Sequence, residues 1–224
     1  MKRRWQKSVR FPDMTEVAAL QAKLAALRKG EVPVEELYGL VHQFGDDNFV
    51  EAEHDVAALL SHPNEQIRSI AVRVLAFHWN MKKYRGEFIQ LMLEDSDDWV
   101  RAFAAAGLGA VLSGSRDPEA SRALIRTLRS ADELPNVREG AYAALMEIWF
   151  PKTSEELLED LRSNLRSARL EAQDWDKVSA GPREEMRGHV WLWKQEWELN
   201  VDWDLVARIE GAIEGSKSDF GGAV

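Results

Sequence analysis

The chain has 224 residues, of which 45% are hydrophobic and 30% charged, a composition typical of a globular protein with a sizeable core. It contains no cysteine, which excludes disulfides, thiolate nucleophiles and cysteine metal sites and favours a cytoplasmic location. No run approaches the roughly 20 apolar residues of a membrane span, so we expect neither a membrane protein nor a secreted one.

Charge is distributed unevenly along the chain. The first ten residues hold five cations and no acid, so removing their +5 from the net −9 leaves −14 on residues 11–224. We expect residues 1–12 to form a mobile basic arm, for which binding of single-stranded nucleic acid is the alternative role. A body this acidic repels phosphate backbones and favours a basic protein partner, although an acidic surface also serves solubility.

Helix-period apolar patterning and dense helix punctuation predict an all-α fold. Asn48 and Glu51 have capping-box spacing, Pro33 suits a first helical turn, and Gly30 and Gly45 suit left-handed helix stops. We predict helices near 14–29, 34–44, 49–61, 65–79, 83–94, 97–112, 118–130, 135–149, 154–173, 183–199 and 203–213.

Three segments of the chain, 62–68, 95–101 and 132–138, coincide when the sequence is laid over itself. Each ends in a β-branched residue followed by arginine, and the β-branched residues are 33 and then 37 residues apart. Alanine follows four residues after this marker and leucine eight after it, which traces one apolar helical stripe. The markers with their alanine and leucine are Ile67, Ala71 and Leu75; Val100, Ala104 and Leu108; and Val137, Ala141 and Leu145.

These residues resemble the HEAT-repeat family, whose second helices open with an Asp-Pro-Asp-x-x-Val-Arg turn and continue with alanine and leucine at these offsets. The resemblance covers residues 49–149. It implies a short right-handed α-solenoid of antiparallel helix pairs, here of bacterial type, in which the arginine after each marker bonds to acids of the turns. Residue 134 is Leu where the first two turns have Asn64 and Asp97, so a continuous ladder between turns is in question.

The resemblance extends to residues 13–44 as a divergent first pair, with Val34 in the marker position. Glu35 then replaces the arginine and Tyr38 replaces the alanine. Residues 13–152 would thus form a stack of about four helix pairs.

Beyond residue 150 the repeat is lost and the composition shifts toward tryptophan. Because the open end of a stack needs a cover with a polar outside, we expect residues 153–224 to form a helical C-terminal cap, with a flexible last ten or so residues. The tryptophans of this region are Trp175, Trp191, Trp193, Trp197 and Trp203.

Motifs of catalysis and cofactor binding are missing from the sequence. The five histidines have no His-x-x-x-His spacing, and neither a Gly-x-Gly-x-x-Gly turn nor a Gly-x-Ser-x-Gly elbow occurs. We therefore expect no catalytic residue, no metal and no cofactor. The enzymatic alternatives come from the resemblance alone, since bilin-attaching lyases and alkylpurine DNA glycosylases are HEAT-like.

The functional prediction is a non-enzymatic scaffold or adaptor that binds another protein on its concave face. An immunity-type inhibitor of a basic toxin is a variant of this hypothesis that rests on charge alone. We expect a monomer or weak dimer with no membrane association. The candidate binding residues are Arg73, Trp99, Glu139, Tyr142 and Trp191.

Overall fold

A computed structural model of the chain describes residues 14–151 and 201–218. Within these ranges every regular element is a helix, which confirms the all-α prediction. Short 3₁₀ turns cover Val50–Ala52, Leu59–Ser61 and Lys82–Tyr84, and a π turn covers Val74–His78. The α-helices are α1 (Met14–Arg28), α2 (Val34–Asp46), α3 (Glu53–Ala58), α4 (Glu65–Arg73), α5 (Arg85–Glu94), α6 (Asp98–Leu112), α7 (Pro118–Arg129), α8 (Pro135–Trp149) and α9 (Trp203–Ser218).

Helices α5 to α8 form two antiparallel-type repeat pairs, α5 with α6 and α7 with α8, and α4 packs against the 3₁₀ turn Leu59–Ser61 that follows α3. The second helices α2, α4, α6 and α8 contact one another in one row, whereas α5 and α7 contact each other in the row of first helices. This arrangement is a short helical solenoid, as the repeat predicted. Its handedness stays a prediction.

Side chains in the turns start the helices as the repeat predicts. The side chain of Asn64 accepts hydrogen bonds from the N–H groups of Gln66 and Ile67, and that of Asp97 accepts one from Val100. These contacts satisfy backbone donors that have no partner inside the helix.

Proline starts the last pair. Pro118 and Pro135 occupy the first helical turns of α7 and α8, where a missing N–H costs nothing.

The end of α2 differs from the prediction. Gly45 lies inside the helix, and the left-handed backbone falls on Asn48, with φ of 51°. Asn48 therefore ends α2 rather than capping the next helix with Glu51. The physical reason is packing, because a Cβ built on Gly45 would lie 2.9 Å from Nδ1 of His78. Gly30 does adopt the predicted left-handed conformation, with φ of 69°.

The apolar stripe of α2 also starts later than predicted. Val34, placed by the sequence at the marker position, is 51% exposed, and Tyr38 is exposed as well. Leu37 and Val41 are buried in the places that correspond to a marker and its alanine. The buried stripe of α2 therefore begins at Leu37, and the prediction that Val34 is its marker was wrong.

The stripes of α4, α6 and α8 form the core, and all nine of the marker, alanine and leucine positions are buried. Small residues let these helices approach closely. A Cβ on Gly109 would lie 2.9 Å from Cα of Ala144, and one on Gly107 would lie 3.1 Å from Cβ of Ala76. The second helices contact one another more closely than the first helices do, as expected for the inner side of a curved stack. We call the exposed side of α2, α4, α6 and α8 the inner face, and α1, α3, α5 and α7 the outer row.

The turns are joined by arginine pairs. The guanidinium of Arg68 donates to both carboxylate oxygens of Asp95 in the next turn at 2.7 Å, and that of Arg101 donates to both oxygens of Glu133 at 2.7 and 3.0 Å. Arg138 ends the ladder on the backbone carbonyl of Leu128. The ladder is continuous despite Leu134, because the preceding Glu133 supplies the carboxylate.

Ion pairs also join the helices of the outer row. Arg28 of α1 pairs with Asp55 of α3 at 2.9 Å, and Arg85 of α5 pairs with Asp117 at the start of α7 at 2.6 Å. Between these two pairs, Glu53 of α3 accepts hydrogen bonds from Lys83 and Tyr84. Both lower the pKa of the Glu53 carboxyl, and the hydrogen bond from Lys83 has the larger effect.

Helix α9 continues the outer row beside α7. Its buried residues Val206, Ile209 and Ile213 belong to the common core, and Arg129 of α7 pairs with Glu210 of α9 at 2.7 Å. The rest of the predicted cap, including the helices expected at 154–173 and 183–199, lies outside the described residues, as does the basic arm. None of the described helices has the length and apolar character needed to cross a membrane.

Candidate protein-binding face

The inner face has a regular arrangement that follows from the repeat. Because the markers are buried, residues two, six and ten positions after each marker lie on the opposite, open side of the helix. On α4 the six position is Arg73, which is exposed. On α8 the residues two and six positions after the marker are Glu139 and Ala143, and both are exposed. The predicted residues Arg73 and Glu139 therefore share the inner face.

Alanines form the middle of this face. Ala102, Ala106 and Ala110 occupy the three open positions of α6 and are all partly accessible. With side chains this short, the centre of the face is a shallow trough between the longer side chains of α4 and α8.

Two aromatic side chains stand at opposite ends of the trough. Trp99 precedes the marker of α6 and is 55% exposed, so the sequence placed it correctly on the surface. Phe77 in the π turn after α4 is 46% exposed and was missed. Its signal was present, because Phe77 follows Arg73 by four residues and hence lies on the same helical face.

The second helices carry seven carboxylates and four arginines. Arg68, Arg101 and Arg138 are held by the turn acids and a backbone carbonyl, which leaves Arg73 as the exposed cation of the described inner face. The inner face is consequently acidic. The carboxylates are Glu35, Glu36 and Asp46 of α2, Glu65 of α4, Asp98 of α6, and Glu139 and Glu147 of α8.

Tyr142 has a different environment from the other predicted binding residues. It follows its marker by five residues and is half-buried against the core. Its hydroxyl accepts a hydrogen bond of 3.3 Å from the N–H of Asp202, just before α9. Tyr142 thus connects α8 to the C-terminal segment. Trp191, the fifth predicted residue, lies outside the described residues.

A small polar group lies where α2 meets α4. Nδ1 of His42 is 3.2 Å from the carboxylate of Asp46, and Nδ1 of His78 is 3.8 Å from the same carboxylate. Burial lowers the pKa of His78, an effect that the nearby Asp46 opposes. His78 is therefore neutral at pH 7.

The described residues contain no group of three or more histidine, aspartate or glutamate side chains arranged to hold a metal ion. What the inner face offers is a shallow acidic trough with two aromatic ends. Such a surface can contact an extended or helical segment of another macromolecule over several repeats at once.

Comparison with known proteins identifies the repeat. The family model described as HEAT repeats matches residues 52–145 and 87–173, which together span more than half of the chain. The search of curated proteins and the search of solved structures returned no match. HEAT repeats mediate protein interactions in general. The chain belongs to the HEAT-repeat family.

Proposed function

We propose that this protein is a non-enzymatic adaptor whose inner face binds a basic segment of another protein. The observation that carries the proposal is the charge of the second helices, which carry seven carboxylates, while Arg73 is the exposed cation of the part described. A lysine- or arginine-bearing segment complements this charge, whereas a nucleic acid would be repelled.

The aromatic ends supply the apolar part of the binding energy. Trp99 is 55% exposed, and tryptophan is enriched where interfaces concentrate energy. Phe77 offers a second exposed ring beyond Arg73. Arg73 itself would pair with an acid of the partner and so fix the position of the segment along the trough.

The test is a comparative pull-down from cell extract with matched variants. The double variant Trp99→Ala and Glu139→Lys alters the inner face. The control double variant, Met14→Ala with Glu87→Lys, makes the same kinds of change on the outer row. Met14 is an exposed apolar residue of α1, and Glu87 is an exposed acid of α5. We expect basic proteins to be recovered with the wild type and the control and lost with the inner-face variant, a loss of ~2–4 kcal/mol if both are hot spots.

Both variants should keep the helical circular-dichroism signal and the melting temperature of the wild type, because each substitution is at an exposed position. If the inner-face variant recovers the same proteins in the same amounts, the inner face is not the binding surface. If the proteins recovered are acidic, the charge argument is wrong.

A further inference from the structure

Several cations of the outer row are paired with carboxylates of a neighbouring helix. Arg28, Lys83 and Arg85 each lie against a carboxylate of a neighbouring helix. Helix α7 follows this pattern only in part, because two of its three arginines have no such partner among the described residues.

The three arginines of α7 lie on one side of the helix. Arg122, Arg126 and Arg129 are spaced by four and three residues, which aligns them along one helical face, and all three are exposed. Arg129 pairs with Glu210 of α9. Arg122 and Arg126 form neither an ion pair nor a hydrogen bond with residues 14–151 or 201–218. Unneutralised positive charge is therefore concentrated here, in a chain whose net charge is −9.

The arginines also line a cleft. It lies between α7 and α9, with Ile125 and Ile213 in its lining and Glu210 and Glu214 on the side of α9. Both isoleucines are buried members of the core, so the cleft combines an apolar base with a cationic wall.

We propose that the cleft between α7 and α9 binds an acidic amphipathic segment of a second protein. Planar guanidinium groups bind carboxylates through two parallel hydrogen bonds, and the isoleucine base accepts an apolar side chain one helical turn away. The carboxylates of the segment would lie along Arg122 and Arg126 on the side of α7, because Arg129 is already paired with Glu210 of α9. A phosphate backbone fits less well, because it has no apolar side chain to place on the isoleucine base. This site is distinct from the inner face. With both sites occupied, the protein would bridge a basic and an acidic partner.

The experiment uses two labelled probe peptides and the full chain in fluorescence anisotropy. One peptide carries Glu and Leu at helical spacing, and the other carries Lys in place of Glu. We expect the Glu peptide to bind the wild type, more tightly at low salt than at physiological salt. The variant Arg122→Glu with Arg126→Glu should weaken this binding at least about tenfold.

A control variant makes the same change of charge elsewhere. Lys29→Glu with Lys82→Glu reverses two exposed cations of the outer side and should leave the affinity for the Glu peptide unchanged. The inner-face variant Trp99→Ala with Glu139→Lys should also leave it unchanged. Failure of this proposal is thereby distinguishable from failure of the proposed function.

Several results would overturn the inference. No binding of the Glu peptide to the wild type, or equal binding to the arginine variant, removes the cleft as an acidic-peptide site. Tighter binding of a single-stranded oligonucleotide that depends on the same arginines assigns the cleft to nucleic acid. Concentration-dependent self-association at low salt that the arginine variant abolishes assigns it to a second copy of the chain. Should the charge reversal unfold the protein, Arg122→Gln with Arg126→Gln provides the same comparison with a milder change.

Discussion

The two rows of the stack are held together by different chemistry. In the inner row, α4, α6 and α8 touch through glycine and alanine at distances that leave no room for another methyl group. In the outer row, neighbouring helices are joined by partly exposed ion pairs between long side chains. This difference accounts for the closer spacing of the second helices. Close apolar contacts join the second helices, whereas ion pairs between long side chains join the first helices at the surface.

The strongest way to break the inner row is a charge at its closest contacts. Ala141→Asp places a carboxylate at a fully buried position of α8, and we expect it to cost ~3–5 kcal/mol of the free energy of unfolding. Ala143→Asp, two residues away on the exposed side, should cost less than about 1 kcal/mol. Urea denaturation followed by circular dichroism measures both. Equal stability of the two variants would mean that the apolar stripe does not form the core.

The buried arginine pairs of the turns should contribute more to the free energy of unfolding than the exposed pairs of the outer row do. Arg68→Met leaves Asp95, whose side chain is 4% exposed, without its partner, and we expect a loss of ~3 kcal/mol. Arg28→Met removes a pair whose side chains are 57% and 17% exposed, so the loss should stay below about 1 kcal/mol. Chemical denaturation at low and high salt checks the prediction. An equal loss for the two variants would show that burial of the turn pairs contributes nothing.

The close contact between α6 and α8 can be tested with a single methyl group. Gly109→Ala would bring a Cβ to 2.9 Å from Cα of Ala144, so the helices must move apart and we expect a loss of ~1–2 kcal/mol. Gly39→Ala is the control, because its Cβ meets nothing within 4 Å, and it should gain ~0.5–1 kcal/mol from helix propensity. Thermal melts of the two variants should shift in opposite directions. Stabilisation by both substitutions would contradict the close contact between α6 and α8.

The smallest expected effect concerns pH. Since burial holds the pKa of His78 below its ordinary value of 6.5, the unfolded chain takes up this proton at a higher pH than the folded one. The part of the stability that depends on His78 is therefore fully present above pH 6.5, and it is lost as the pH falls below that value. His78→Gln should flatten the melting temperature between pH 7 and pH 5 relative to the wild type. Asp46, His42 and Arg73 lie near His78 and also act on its pKa. Identical pH profiles for the two proteins would show that His78 does not contribute to the pH dependence of stability.

Local sequence patterns were sufficient to predict the second helices, because their markers, alanines and leucines repeat at offsets that only one buried helical face explains. They misplaced the start of the first stripe. Val34 matched by its distance of 33 residues from Ile67, but Leu37 and Val41 carry the buried pattern. Gly45 was misread for a related reason, since both Gly45 and Asn48 suit a left-handed turn. Only the packing of Gly45 against His78 distinguishes the two, and that contact is between different repeats.

The candidate site was partly accessible to the same reasoning. Arg73 and Glu139 follow from the offsets of their markers, and Phe77 could have been found by extending the Arg73 face by one turn. The hydrogen bond between Tyr142 and Asp202 joins residues 60 positions apart, so no local pattern indicates it. The same holds for the cleft between α7 and α9, which depends on where the chain returns after residue 200.

Hydrogen exchange of the complex tests whether the inner face binds a basic protein. The full chain would be exchanged alone and with a partner recovered in the pull-down. We predict slower amide exchange in α4, α6 and α8, around Arg73, Trp99 and Glu139, with α1, α3 and α5 unchanged. Slower exchange confined to the outer row, with the second helices unaffected, would contradict the claim.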